Sequence, residues 1–205
     1  MTTNAFLAQL TETTRQLIST VQTELEPLEL SQLNQQPAPN AWSVLECLEH
    51  LNRYSRYYNP RLAQALTHAS TATQTEVGYS WLGRKFVAMM APSNNKKAKT
   101  LKRMNPIGSC LGREVLLEFQ QHQQHVLELL AQAQHANLNH KVVPVEFFPL
   151  LKMRLGEALE FVLVHEQRHM QQALRVKASL LAVEASKKSI PTSPVQINQT
   201  AIAVN

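Results

Sequence analysis

The stretch that decides the fold is LGEALEFVLVHEQRHMQQALRV, Leu155 to Val176. Its apolar residues recur every three or four positions, a spacing that predicts an amphipathic helix. Because successive residues of a helix are separated by about 100°, His165 and His169 emerge about 40° apart on adjacent turns, within the apolar stripe. Glu166, at about 100° from His165, also falls within the stripe. Both histidines are therefore predicted to face the protein interior, with a carboxylate beside them.

The composition predicts one domain built from long helices. The chain has 205 residues, 44% of them hydrophobic, with only five glycines; Leu, Ala and Gln are its most common residues, whereas Ile is rare. We expect the domain to span residues 1–182 and residues 183–205 to form an irregular or flexible tail. No run of about 18 apolar residues is present, so no membrane span is expected. Two cysteines, Cys47 and Cys110, make no disulfide framework, which favours a cytoplasmic location.

Four segments show helical periodicity, at about residues 3–23, 43–69, 111–135 and 150–181. The second begins with a capping box, Ser43-Val44-Leu45-Glu46, and contains Pro60, where we expect a kink or break. No segment has a clear strand pattern, so the fold class is predicted to be all-α, a four-helix bundle. Residues 70–109 form a long insertion, which predicts a crossover or lid between the second and third helices.

The net charge of +5 raises the question of a nucleic-acid partner. Seven of the twenty basic residues fall between residues 84 and 103: Arg84, Lys85, Lys96, Lys97, Lys99, Lys102 and Arg103. No recognised DNA-binding motif frames them, so we expect a solvated basic loop and no nucleic-acid partner. Contact with an anionic ligand is the alternative, with Arg84 and Lys85 reaching an anionic substrate if the crossover folds over the site.

Two core-facing histidines and a carboxylate are costly to bury unless they share a partner, and a divalent cation is an economical one. His50, His122 and His125 are candidates for a third ligand, whereas His68, His135 and His140 lie near element ends and are expected to be exposed. His50 lies roughly 10 Å into its helix and His165 roughly 23 Å into the last one. His50 and His165 can lie at the same height in the bundle only if these two helices run antiparallel. The long crossover permits that arrangement.

The pentapeptide His165-Glu166-Gln167-Arg168-His169 also matches the H-E-x-x-H motif of zinc metalloproteases. Those enzymes need a further ligand downstream, and no histidine follows His169. They also usually bind peptide along the edge of a sheet, and no strand is predicted here. The motif is therefore interpreted as a metal-binding pair on a helix and not as a protease signature.

Two segments together resemble the DinB/YfiT-like superfamily: PNAWSVLECLEHL, Pro39 to Leu51, and the helix that contains His165 and His169. The resemblance extends over roughly Phe6 to Lys177. It implies a bundle with up-down-down-up topology and a metal triad of His50, His165 and His169. Similar proteins include thiol-dependent transferases and isomerases, and proteins described as metal-dependent hydrolases.

Three neutral imidazoles would leave open positions on a divalent metal, as catalytic sites do. Zinc or nickel is the expected metal, with iron or manganese also compatible, and a small-molecule substrate such as a low-molecular-weight thiol is the expected partner. Glu166 is the candidate general base, although it could instead orient an imidazole or simply be partly exposed. A metal-binding bundle without turnover and a metal-free polar core are the alternatives, and an exposed face could pair two chains as a homodimer.

Overall fold

The computed structural model describes residues 1–71, 75–94 and 100–188, and within them the chain is mainly helical. The α-helices of this part are α1 (Thr3–Thr20), α2 (Leu30–Asn34), α3 (Val44–Thr67), α4 (Trp81–Met90), α5 (Glu114–Ala133) and α6 (Leu155–Lys188). A π-helical turn, Val21–Leu25, prolongs α1, and a 3-10 turn, Lys102–Met104, precedes α5. The prediction of a mainly helical chain is confirmed.

The expectation that no strand forms was wrong. Strands β1 (Lys141–Val145) and β2 (Phe148–Arg154) make an antiparallel hairpin, and α6 follows directly at Leu155, so the predicted helix start at residue 150 was too early. The alternate residues Val143 and Val145 are fully buried, as expected for a half-buried strand of β-branched residues. At the other end, residues 183–188 belong to α6, and residues 189–205 of the predicted tail lie outside the described part of the chain.

Helix α3 begins at the predicted capping box. The Ser43 hydroxyl accepts a hydrogen bond from the Glu46 amide at 3.2 Å, and the Glu46 carboxylate accepts one from the Ser43 amide at 2.8 Å. The helix then continues without interruption through Pro60 to Thr67. Proline inside a helix costs about 3 kcal/mol, and the burial of Tyr58 and Leu62 on either side of Pro60 offsets it.

Residue pairs between the long helices show how they run. The ring pairs Trp42–His169 and Tyr58–Phe161 step in opposite directions along the chain, so α3 and α6 are antiparallel where they touch. For contacts between α3 and α5, residue numbers rise together along both helices. The Asn52 amide donates to the carbonyl of Val115, and the Asn59 amide donates to that of His122, so these two helices are parallel.

The core lies between α1, α3, α5 and α6. Helix α3 packs against α5 and α6, and α1 packs against the same two helices from the other side. Each of the four contributes one large aromatic side chain that is almost fully buried: Phe6, Tyr58, Phe119 and Phe161. Among the described residues, no helix is both long and apolar enough to cross a membrane.

The segment after residue 100 is bound tightly to the first half of α3. The Arg53 guanidinium donates to the carbonyls of Arg103 and Asn105 at 3.3 and 3.1 Å, and the Gly108 amide donates to the Glu46 carboxylate. This segment therefore forms a fixed wall beside the start of α3.

Helix α4 packs on α6, and the Arg168 guanidinium donates to the carbonyls of Ala91 and Asn94 just beyond its end. The predicted basic loop is not a single loop: Arg84 and Lys85 are exposed on α4, Lys102 is exposed in the 3-10 turn, and Arg103 forms an ion pair with the buried carboxylate of Glu146. The other members, Lys96, Lys97 and Lys99, lie outside the described residues.

The Glu46 carboxylate joins the cap of α3 to the segment that follows residue 100, because it also accepts from Gly108 and from the Gln36 amide. We expect Glu46→Ala to lower the free energy of unfolding by about 2–3 kcal/mol, since three donors lose a charged acceptor in a buried place. Urea denaturation in the presence of a chelator measures this change without a contribution from bound metal. The control is Glu128→Ala on the exposed side of α5, and an equal effect of both substitutions would contradict the assignment.

Candidate metal centre

The structure brings His50 of α3 together with His165 and His169 of α6. Each side chain offers one ring nitrogen, and these three atoms all lie within 4.8 Å of one another. His50 and His165 are buried, and His169 is partly buried. The three histidines that the sequence and the resemblance singled out thus form one cluster at the contact between two antiparallel helices.

The distance between the Nε2 atoms of His50 and His165 is 3.2 Å. Two imidazoles on a tetrahedral zinc ion, with Zn–N bonds of 2.0–2.1 Å, place their nitrogens about 3.3 Å apart. The spacing therefore fits a shared metal ion. It also fits a direct N–H···N hydrogen bond, which is the arrangement of a metal-free polar core.

Hydrogen bonds to the second ring nitrogen orient two of the three imidazoles. His50 Nδ1 lies 2.7 Å from the carbonyl oxygen of Met104, and His169 Nδ1 lies 3.0 Å from Oε1 of Gln172. Because both oxygens are acceptors, each Nδ1 carries the proton and donates, which leaves the Nε2 lone pair free. Partners of this kind set the tautomer and direction of metal-ligating histidines.

Burial keeps the three imidazoles neutral. It lowers the pKa of His50 to about 4, with a smaller effect of Arg53 in the same direction and an opposing one from the Met104 carbonyl. Burial lowers the pKa of His169 to about 3, and the nearby His50 is the second largest cause. The pKa of His165 lies well below its usual value because of burial and its two histidine neighbours. Neutral imidazole is the form that ligates metals.

Two aromatic rings enclose the cluster. The Trp42 ring lies 4.7 Å from His50 and 5.6 Å from His169, centre to centre, and its Nε1 donates to the Asn105 side chain. Tyr54 lies 4.6 Å from His165, and burial raises the pKa of its hydroxyl to about 12. Tyr54 packs against the hydrophobic core and also lines a cavity beside the histidines. Trp42 lies one residue before the capping box, and this position is the sequence signal that could have indicated its place beside the histidines.

This cavity has a volume of about 910 Å³ and opens from the histidines along α6. Trp42 and Tyr54 of the α3 side, Met89 of α4 and Arg175 of α6 contribute to its walls. Arg168 also lines it, on the side of α6 that is covered by helix α4 and the residues after it.

Glu166 does not lie in this cavity. The residue is 2% exposed, and its side chain is buried beside α3 and α5: Oε1 accepts a hydrogen bond from the Ser55 hydroxyl of α3 at 3.4 Å, and the Gln123 amide of α5 lies nearby. Within the described part of the chain, Oε2 has no hydrogen-bond partner, and burial raises the pKa of the group to about 7. A general base must come within hydrogen-bond distance of its substrate, so the predicted catalytic role of Glu166 has no support in this geometry.

The remaining candidates lie apart from the cluster. His122 contacts Glu118 and Asn59, His125 is half-buried on α5, and His68, His135 and His140 are exposed as expected. Cys47 is fully buried, and this burial raises the pKa of its thiol, so it is a core residue. Arg84 and Lys85 are exposed and do not line the cavity.

The fold and the site together define a mainly helical protein with a buried three-histidine group that can hold a metal ion. In a comparison with protein families, the family model of the DinB superfamily matches residues 8–173. The chain therefore belongs to the DinB superfamily. Among curated proteins and among solved structures, no chain matches this one significantly.

The hydrogen bond between His169 and Gln172 predicts a measurable effect on metal affinity. Gln172→Ala removes the acceptor that holds the His169 tautomer, and we expect zinc affinity to fall by about 10- to 100-fold. Competition with a chromophoric chelator measures it. The matched control is Gln171→Ala, which removes the neighbouring amide at the exposed edge of the cavity. If both variants bind zinc as the wild type does, Gln172 does not orient the ligand.

Proposed function

We propose that His50, His165 and His169 bind one divalent transition metal, with zinc or nickel the expected ion and iron or manganese compatible. The observation that carries this proposal is the meeting of three neutral imidazoles, within 4.8 Å, at the end of a 910 Å³ cavity. Three nitrogen ligands would leave at least one coordination position open for a ligand, and all three histidines line the cavity. When bound, such an ion stabilises a thiolate or polarises a substrate.

The surrounding residues of the chain prepare this site. The Met104 carbonyl and the Gln172 amide oxygen hold two imidazoles in the ligating tautomer. Trp42 and Tyr54 shield the rings from water. Because Tyr54 keeps its proton near neutral pH, its hydroxyl can act as a hydrogen-bond donor towards a ligand in the cavity.

We further propose that the reaction is transfer to or from a low-molecular-weight thiol, in preference to hydrolysis. A general base that takes a proton from water assists hydrolysis, and no carboxylate lines the described walls of the cavity. A thiol that has released its proton to solvent is already a strong nucleophile. Its sulfur can form a bond to an electrophilic carbon while the leaving group departs with the electrons of the broken bond.

The second candidate is a bundle that binds metal without turnover, in a structural or regulatory role. The same observation favours it, because a cavity whose described walls offer no carboxylate has little acid–base chemistry of its own. Activity assays decide between the two candidates.

The architecture that accompanies this function is proposed as a four-helix bundle of α1, α3, α5 and α6 with up-down-down-up topology, within a domain of residues 1–182. Antiparallel α3 and α6, parallel α3 and α5, and the packing of α1 on α5 and α6 support it. A cytoplasmic location and a homodimer remain proposals made from the sequence.

Elemental analysis of the protein purified without a histidine tag tests the metal site. We expect about one divalent metal ion per chain in the wild type. His50→Ala, His165→Ala and His169→Ala should each reduce zinc affinity by at least about 100-fold, because each removes one of three ligands.

His122→Ala serves as the control for these variants, since His122 is a partly buried histidine outside the cluster. Wild-type metal content in all three cluster variants would overturn the triad. A metal-free wild-type protein that cannot be loaded with zinc, nickel, iron or manganese would identify the histidines as a polar core network.

Turnover is tested by incubating the metal-loaded protein with low-molecular-weight thiols and electrophilic acceptors. We expect thiol consumption that requires the metal and is lost in His169→Ala, because the remaining two ligands hold the ion poorly. Glu166→Gln should retain most of this activity, since the carboxylate faces away from the cavity. Metal-dependent turnover absent from the whole panel would favour the non-catalytic candidate.

A further inference from the structure

The cavity beside the histidines continues along α6 well beyond the metal-binding end. Its wall past His169 includes Gln172, Arg175, Val176 and Ser179. Because a helix rises 1.5 Å per residue, Arg175 lies about 9 Å farther along the helix axis than His169. A ligand that fills this space therefore extends from the imidazoles to the Arg175 guanidinium.

The charged residues on the described walls of the cavity are all of one sign. Two arginines, Arg168 and Arg175, line the described part of the cavity, and none of the chain's glutamates does; the sequence contains no aspartate at all. A divalent ion on three neutral imidazoles adds two further positive charges. A cavity with this balance attracts anions and repels cations.

The two arginines have different environments. Arg168 donates to the carbonyls of Ala91 and Asn94 and so holds the end of α4 on α6. Arg175 is exposed and forms no hydrogen bond or ion pair with the described residues. Among the described residues of the cavity wall, Arg175 is thus the cation that is available to a ligand.

We infer that the cavity binds an elongated anionic small molecule, with its metal-binding group at the histidines and its carboxylate or phosphate at Arg175. The inference deepens the proposed function and rests on it for the metal-bound end. The planar guanidinium suits both anions, since it can donate two parallel hydrogen bonds to either. Met89, Met90 and Val176 provide an apolar surface for the part of the molecule in between.

Three probes that share one thiol and one alkyl chain test this assignment: ω-mercaptohexanoate, ω-mercaptohexyl phosphate and ω-mercaptohexanol. They are titrated into the cobalt(II)-loaded protein, whose sulfur-to-cobalt absorption band reports coordination of the thiol. We expect at least one anionic probe to bind about ten-fold more tightly than the alcohol. Only the anionic probes can form the charge-assisted hydrogen-bonded pair with Arg175. The tighter of the two anionic probes identifies the preferred end group.

Arg175→Gln should bring the anionic probes to within about two-fold of the alcohol, while affinity for the alcohol and metal content stay unchanged. Arg175→Lys should retain part of the preference for anions, because lysine keeps the positive charge but cannot donate two parallel hydrogen bonds. Arg84→Gln, an exposed arginine outside the cavity, is the matched control and should change nothing. Equal binding of all three probes to the wild type, or a preference that survives in Arg175→Gln, overturns the inference.

A second readout separates this inference from the metal proposal. In a Trp81→Phe background the remaining tryptophan is Trp42, which lines the cavity, so its fluorescence reports ligands without any metal. If cobalt does not bind, the metal proposal fails. Tighter binding of hexanoate or hexyl phosphate than of hexanol, lost in Arg175→Gln, would still support the anion site, and its absence would overturn it.

Discussion

The desolvation of three imidazoles between α3 and α6 is the constraint on which the rest of the structure depends. Buried polar groups need partners, and two of the three imidazoles find one outside the cluster, at Met104 and at Gln172. The Met104 carbonyl serves His50, and it is held in place because Arg53 and Glu46 bind the residues on either side of it. The capping box of α3 therefore does more than start a helix. It fixes the segment that orients a metal ligand.

His165 and Glu166 are neighbours in sequence but face different spaces. His165 turns towards the cavity, whereas Glu166 turns towards Ser55 and Gln123 in a buried polar cluster next to α5. The H-E-x-x-H pentapeptide is therefore present without the geometry of a metalloprotease, in which the glutamate meets the metal-bound substrate. The rotation of about 100° between adjacent helical residues is enough to separate the two roles.

Much of the fold was predictable because long helices leave a strong periodic signal. The capping box at Ser43 marked the start of α3 to within one residue, and the interior position of His165 and His169 followed from the spacing of their apolar neighbours. The β1–β2 hairpin was missed because its strands are short and β1 contains Pro144, which weakens any strand pattern. The same hairpin explains why α6 begins at Leu155 and not at residue 150.

The sequence by itself determined that the chain is mainly helical and that two histidines share the buried face of its last helix, because both follow from local spacing. The resemblance and the depth of His50 then indicated the third member of the cluster. Only the tertiary structure decided what surrounds it: the Met104 carbonyl, the Trp42 and Tyr54 walls, and the position of Arg175 in the cavity. It also decided that Glu166 turns away. These features depend on how α4 and the segment after residue 100 pack against α3 and α6, and no local pattern specifies contacts between residues so far apart in the chain.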